Sequence, residues 1–263
     1  MSNLAAVTTA EPEIVTFQGA RSEVRVRCFA TAADAGAYIA PLIASALRDA
    51  IAQRGHAVWV GCGGTTPKPI YERLTDADVD WDKVRLFQVD ERFVPTDAPA
   101  SNTRMMREAL SPILSAGSRP GMEMVSLIQD IDDQYVCAAK AEATLRDMNQ
   151  GAAPVFDFAL MGMGPDAHYA SIFPGHAING VVYKTDALVL PVSASGTESE
   201  PVLPRITLSV PAIDNSRKIV FFITGQTKLD VLKTASQSTD PYTSPIGAFL
   251  AQCPAPVEFV WAP

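Results

Sequence analysis

Apolar residues fall along this chain in two alternating patterns. Short runs, either continuous or at every second position, occupy residues 24–29, 56–60, 84–89, 124–127, 155–161, 187–190, 218–223 and 257–261. Each is too short for a typical helix, and most are bounded by glycine, proline or charged residues, which predicts strands. Between them lie stretches of helical character. Thr31 is placed to cap an alanine-rich helix whose apolar face carries Ile43, Ala44, Leu47 and Ile51 and which stops at Gly55. Pro41 interrupts it. Proline fits only a first turn without losing a hydrogen bond, so the pattern predicts either a kink or a second helix starting there. Thr66 reads as an N-cap with Pro67 at the first helical position. Ser101-Asn102 caps a helix over residues 103–110 that Pro112 ends, Asp132 or Asp133 opens another through Met148, and residues 229–235 form a further one. Residues 1–22 read as a loosely ordered lead-in able to add an edge strand. The Ser/Gly/Thr/Glu-rich stretch after residue 190 reads as a mobile loop.

Strands alternating with helices over the whole length predict an α/β fold. Its expected form is a mainly parallel sheet covered by helices on both faces, a Rossmann-like three-layer α/β/α sandwich. With 263 residues, 48% of them apolar, the chain is long enough to bury one substantial core, so residues 1–263 are expected to form a single domain. Ligands of such sheets sit beyond the carboxyl ends of the strands. Chemistry is therefore sought there.

Four strand ends carry distinctive groups. After residues 56–60 comes Gly61-Cys62-Gly63-Gly64-Thr65-Thr66-Pro67, where glycines free the backbone amides and hydroxyls precede a helix start, an arrangement suited to an anion. No Gly-Lys-Ser/Thr follows at Walker spacing. Residues 84–89 run into Asp90-Glu91-Arg92, which is either a solvated turn or part of a site. Residues 155–161 end in Gly162-Met163-Gly164-Pro165-Asp166-Ala167-His168, and residues 218–223 end in Thr224-Gly225-Gln226-Thr227-Lys228. Gly162-x-Gly164-x-x-Ala167 formally fits a dinucleotide fingerprint, but Pro165 lies inside the turn and Pro174-Gly175 cut short the helix that the fingerprint must open. Alone, His168 would read as an ordinary loop histidine and Asp166 as a helix cap. The convergence of four strand ends makes His168 the candidate base. His56 and His176 read as structural or loop residues, and the eight methionines as packing material.

Composition narrows the classes. The net charge of −8 argues against a nucleic-acid surface, and no apolar run approaches the ~18 residues of a membrane span. The four cysteines, Cys28, Cys62, Cys137 and Cys253, are scattered without zinc-type spacing and read as free thiols of a reducing compartment. Residues 1–16 lack a basic start followed by an apolar core, so no leader is expected and the cytoplasm is the expected location. Neither metal nor cofactor is expected, and oligomeric state is left between monomer and small homo-oligomer.

Together and in this order, several stretches resemble the 6-phosphogluconolactonase family, within the larger group that includes glucosamine-6-phosphate deaminase and ribose-5-phosphate isomerase. The matching segments are Gly63-Gly64-Thr65-Thr66-Pro67 with Tyr71 and Leu74; Asp90-Glu91-Arg92 through Val94-Pro95 with Ser101-Asn102; Gly162 to Gly175; and Arg205-Ile206-Thr207-Leu208 with Thr224-Gly225-x-x-Lys228. The resemblance implies hydrolysis of a sugar-phosphate lactone with His168 as general base and Asp166 assisting. It places Gly63, Gly64, Thr65, Thr66, Arg92, Arg205 and Lys228 around the substrate phosphate and sugar oxygens, with Asn102 shaping the Asp90-Glu91-Arg92 turn. Whether Asp166 sets the imidazole tautomer or only caps the turn stays open, as does the choice of phosphate or oxyanion for Arg92. Ser171-Ile172-Phe173-Pro174-Gly175 looks like the lactonase rather than the deaminase, which carries Asn-Glu-Pro there. Two positions depart from the family pattern, Ala167 where glycine is usual and Tyr169 where threonine is usual. Ala167 tests whether that backbone needs a positive φ, and Tyr169 beside the base would narrow the pocket or offer a different hydroxyl. The alternatives are a deaminase-like aldose–ketose enzyme and a non-catalytic sugar-phosphate-binding regulator.

Overall fold

The computed structural model describes residues 12–194 and 201–263. Its strands are β1 (Glu13–Gln18), β2 (Glu23–Cys28), β3 (Ala57–Gly61), β4 (Val84–Gln88), β5 (Asp90–Arg92), β6 (Glu123–Val125), β7 (Phe158–Met161), β8 (Val189–Val192), β9 (Arg205–Leu208), β10 (Ile219–Thr224) and β11 (Val257–Ala262). The helices are α1 (Ala32–Arg54), α2 (Lys68–Leu74), α3 (Asn102–Leu110), α4 (Gln134–Asp147), α5 (Val210–Asp214), α6 (Gln226–Ala235) and α7 (Pro245–Gln252).

Eight strands form one sheet in the order β1-β2-β11-β10-β7-β3-β4-β6, parallel throughout except for the antiparallel edge pair β1–β2. This is the mainly parallel sheet of a three-layer α/β fold. Strand β3 and all of β7 are buried along their length, as continuous apolar runs predict for strands covered on both faces. From β3 the chain builds outward through β4 to β6, then returns to β7 on the other side of β3 and proceeds to β10 and β11. The order reverses between β3 and β7, so the crevice of the fold opens at their carboxyl ends.

The local signals are largely realised. Thr31 accepts from the Asp34 amide at 3.1 Å, and Gly55 ends α1 at φ +80 with its N–H on the Ile51 carbonyl. Pro41 neither starts a new helix nor ends the first one. It lies within α1 on the exposed face. By length and composition α1 is apolar enough to cross a membrane, contrary to the sequence expectation, but Ile39, Ile43 and Leu47 are fully buried in the core.

Other expectations need correction. Thr66 is not the cap of α2: Pro67 holds that position in αR geometry, no side chain caps the helix, and α2 has only seven residues. Asp90-Glu91-Arg92 is not a solvated turn but strand β5 of a second, antiparallel sheet, β5-β9-β8, that the periodicity did not predict. Strand β8 begins two residues later than the apolar run suggested, and α7 was not anticipated. The edge strand is present as β1, whereas the first eleven residues and the expected mobile loop at residues 195–200 lie outside the described residues.

Candidate active site

A cavity of about 310 Å³ opens at the β3/β7 crevice. Its walls come from the four strand ends identified in the sequence, joined by the first residue of α3 and the first residue of β9. Gly63, Gly64, Thr65 and Thr66 line one side, Arg92 and Asn102 another, and His168, Arg205 and Lys228 complete it. Asp166 alone of the expected site residues does not line the cavity; it stands behind His168.

The loop after β3 is held by two contacts. Tyr71, fully buried on α2, donates its hydroxyl to the Cys62 carbonyl at 2.6 Å. Asn102 lies flat against Gly63, where a Cβ would sit 1.8 Å from the Asn102 Oδ1, so only glycine lets the two segments approach this closely. Asn102 does shape the β5 segment: its Nδ2 donates to the Asp90 carbonyl at 2.9 Å and its Oδ1 accepts from Arg92 Nη1 at 2.7 Å. The same guanidinium nitrogen donates to the Ala100 carbonyl.

Arg205, on β9, is 5% exposed. Its Nη1 lies 3.7 Å from Asp90 Oδ2, its guanidinium stands 5.7 Å from the Phe173 ring centroid, and its Nη2 donates to the Pro201 carbonyl. Burial lowers its pKa, with Asp90 pulling the other way. The Nε atoms of Arg92 and Arg205 are both buried without a hydrogen-bond partner. Lys228, at the start of α6, makes no hydrogen bond or ion pair among the described residues, and burial pulls its pKa below the usual lysine range. Three cationic side chains thus share one cavity while retaining unsatisfied donors, which is what an anionic ligand requires.

The opposite wall is the turn after β7. It is closed by Gly164 N–H to the His168 carbonyl at 2.8 Å and Ala167 N–H to the Gly164 carbonyl at 3.2 Å. Ala167 adopts φ +69 and Ala170 φ +48, so the position where the family favours glycine does require left-handed backbone. His168 Nδ1 and Asp166 Oδ1 are 2.5 Å apart. Burial raises the Asp166 carboxyl, but the hydrogen bonds and charge it shares with His168 outweigh this, and its pKa falls below the ordinary value. With Nδ1–H directed at that carboxylate, Nε2 is the free acceptor of the ring. Phe173 packs on the imidazole with ring centroids 4.8 Å apart.

Tyr169 neither narrows the cavity nor offers it a hydroxyl. Its side chain is fully buried against Phe221 and Phe249, and its hydroxyl is 3.4 Å from that of Tyr183. His176 is a buried structural residue that accepts from the Ile178 amide. Among the described residues no cluster of three or more His, Cys, Asp or Glu is arranged to hold a metal ion. Sequence reasoning missed the parts of Asp90, Ser171 and Phe173. Asp90 lines the cavity and accepts from Ser171 Oγ at 2.6 Å. The signal was present in a charged residue placed directly after an apolar strand.

The family described as Glucosamine-6-phosphate isomerases/6-phosphogluconolactonase matches residues 30–261. A 6-phosphogluconolactonase of Caulobacter vibrioides is 34% identical over 241 residues, covering 91% of this chain and 97% of the relative. The crystal structure of a 6-phosphogluconolactonase from Shewanella baltica matches with a TM-score of 0.83 at 32% identity, over 94% of this chain and 100% of that one. A 6-phosphogluconolactonase from Trypanosoma brucei matches with a TM-score of 0.73 at 26% identity, over 90% and 95% of the two chains. A family match over residues 30–261, together with a shared fold and about one third identity to the first two of these lactonases, means that this chain belongs to the glucosamine-6-phosphate isomerase/6-phosphogluconolactonase family.

Proposed function

We propose that the protein hydrolyses 6-phospho-D-glucono-1,5-lactone to 6-phosphogluconate, the lactonase step of the oxidative pentose phosphate pathway, through a water activated by His168. The observation that carries this reading is the imidazole held by Asp166 at 2.5 Å on the wall of a cavity whose other walls bring Arg92, Arg205 and Lys228 together. The cations and the Gly63-Gly64-Thr65-Thr66 loop receive the phosphate and sugar oxygens. The lactone carbonyl then lies toward His168.

A δ-lactone is already reactive toward water, so no covalent intermediate is needed. Nε2 of His168 takes a proton from the water as its oxygen bonds to C1. The tetrahedral intermediate collapses by breaking the bond from C1 to the ring oxygen, and the imidazolium returns its proton to that leaving oxygen. Asp166 keeps Nδ1 protonated and stabilises the imidazolium. A positioned base of this kind contributes about 10² to 10⁴-fold. Binding energy gathered at the phosphate is used to orient a carbonyl several bonds away. The reading places the protein in the cytoplasm as a monomer or small homo-oligomer acting on a small sugar phosphate without a cofactor.

The test is lactone hydrolysis measured above the spontaneous background for the wild type and for His168→Ala. The expected result is turnover by the former and a loss of at least about 10²-fold in the latter. Ammonia release from glucosamine 6-phosphate would favour a deaminase, and binding of phosphate esters without turnover would favour a regulator; either overturns the reading.

A further inference from the structure

One buried charge next to the cavity has no part in the chemistry above. Glu91 lies on β5 between Asp90 and Arg92, both of which line the cavity, yet its own side chain points the other way and is fully buried. Its Oε1 accepts from the Arg92 amide at 2.7 Å and the Asn102 amide at 2.7 Å. Its Oε2 accepts from the Thr103 amide at 2.6 Å, the Thr103 hydroxyl at 2.8 Å and the Ser101 hydroxyl at 3.1 Å. No ion pair accompanies these five bonds among the described residues. Burial raises the pKa of the carboxyl, and the hydrogen bonds pull it back. Burying a carboxylate this completely is costly, and a salt bridge does not explain it.

All five partners are donors. Only a group with two acceptor oxygens satisfies them; a glutamine amide would press N–H against N–H on one side. What the carboxylate fixes is the junction of β5 with the first turn of α3, and that junction sets Asn102. The Asn102 carboxamide in turn bridges the Asp90 carbonyl and the Arg92 guanidinium while resting on Gly63.

We propose that Glu91 is a positioning residue for the phosphate end of the site: without touching the ligand, it holds Asn102, and through Asn102 it aims the Arg92 guanidinium into the cavity and seats the Gly63 loop. The proposal rests on the lactonase reading and gives Arg92 to the phosphate.

The test compares Glu91→Gln, Asn102→Ala and the double variant on 6-phosphogluconolactone and on the unphosphorylated glucono-1,5-lactone. For the phosphorylated substrate Glu91→Gln is expected to raise KM by ten-fold or more with kcat within about three-fold, and for the unphosphorylated lactone to change neither constant by more than about three-fold. Because Glu91 acts through Asn102, the double variant should be no worse than Asn102→Ala alone. Losses that multiply, a fall in kcat shared by both substrates, or an unchanged KM in a folded Glu91→Gln would each overturn the proposal. Should Glu91→Gln not fold, Thr103→Val carries the test by removing a hydroxyl from the same carboxylate oxygen. A several-fold rise in KM supports the proposal and an unchanged KM overturns it. Wild-type turnover, measured first, separates failure of the lactonase reading from failure of this one. If there is no turnover, calorimetric binding of 6-phosphogluconate decides instead, weakened binding by Glu91→Gln supporting the proposal and equal binding overturning it.

Discussion

Replacing Gly164 by alanine tests the assignment of His168 without substituting the histidine itself. Gly164 does not adopt a positive φ, so its backbone accepts an alanine. The difficulty is space: the added Cβ would lie 2.1 Å from His168 Cε1, 2.2 Å from Nδ1 and 2.6 Å from Asp166 Oδ1. Ordinary contact begins near 3.4 Å, so the ring must retreat by about 1.3 Å. A misplacement of about 1 Å in a reacting group costs on the order of 10²-fold. We therefore expect kcat for the phosphorylated lactone to fall about 100-fold, with KM changed less than about threefold because the proposed phosphate contacts lie on other walls. The obstructing atoms are the ends of two side chains, His168 and Asp166, rather than backbone, so unfolding free energy should change by less than about 2 kcal/mol. Gly36→Ala, on α1 and away from the cavity, is the control, since its Cβ would meet nothing closer than the Ile70 side chain at 3.7 Å. Initial rates and urea melts on the three proteins suffice. If Gly164→Ala keeps kcat within about threefold of wild type, the imidazole seen here is not the poised base and the mechanism is refuted.

Other positions give independent checks. Tyr169→Phe should leave lactone hydrolysis within about twofold of wild type, because its hydroxyl makes one long contact in the core and none in the cavity; a larger change in initial rate would contradict this placement. Ala167, at φ +69 and 4% exposed, should tolerate glycine within about 1 kcal/mol, strain relief offsetting the lost methyl and the added chain entropy. Valine there should cost about 2 kcal/mol or more in urea unfolding, since a β-branched residue is poorly accommodated in left-handed backbone. Asp214 has its pKa raised to about 6 by burial, and its Oδ1 is buried without a partner. Its contribution to stability is fully present below about pH 4 and is lost as pH rises through about 6, a span of two pH units or about 3 kcal/mol at most. Asp214→Asn should therefore melt higher than wild type at pH 7 to 8, with the advantage gone near pH 4; a pH-independent difference in melting temperature would refute the assignment.

Much of this architecture was legible one segment at a time. Strands β3, β7 and β10 are apolar without interruption, and burial on both faces of a parallel sheet demands that pattern. Thr31 and Gly55 mark the ends of α1 because cap chemistry is local to a few residues. The glycine-rich and charged strand ends point to the crevice from sequence alone, since parallel strands place their carboxyl ends on one side.

What the chain alone left undecided depended on residues distant in sequence. Strand β5 has only three residues, all charged, and exists because Asp90 pairs with Thr207 and Arg92 with Arg205. Thr66 looked like a cap, but packing gave that position to Pro67. Tyr169 follows the base directly in sequence, where it would narrow the pocket or offer a hydroxyl, yet the turn sends its ring into a pocket made by Phe221 and Phe249. The need for glycine at 63 is visible only once Asn102 lies against it. Periodicity and capping arise from neighbours along the backbone and so can be read in order; side-chain direction and close approach are set by long-range packing, which only the folded chain determines.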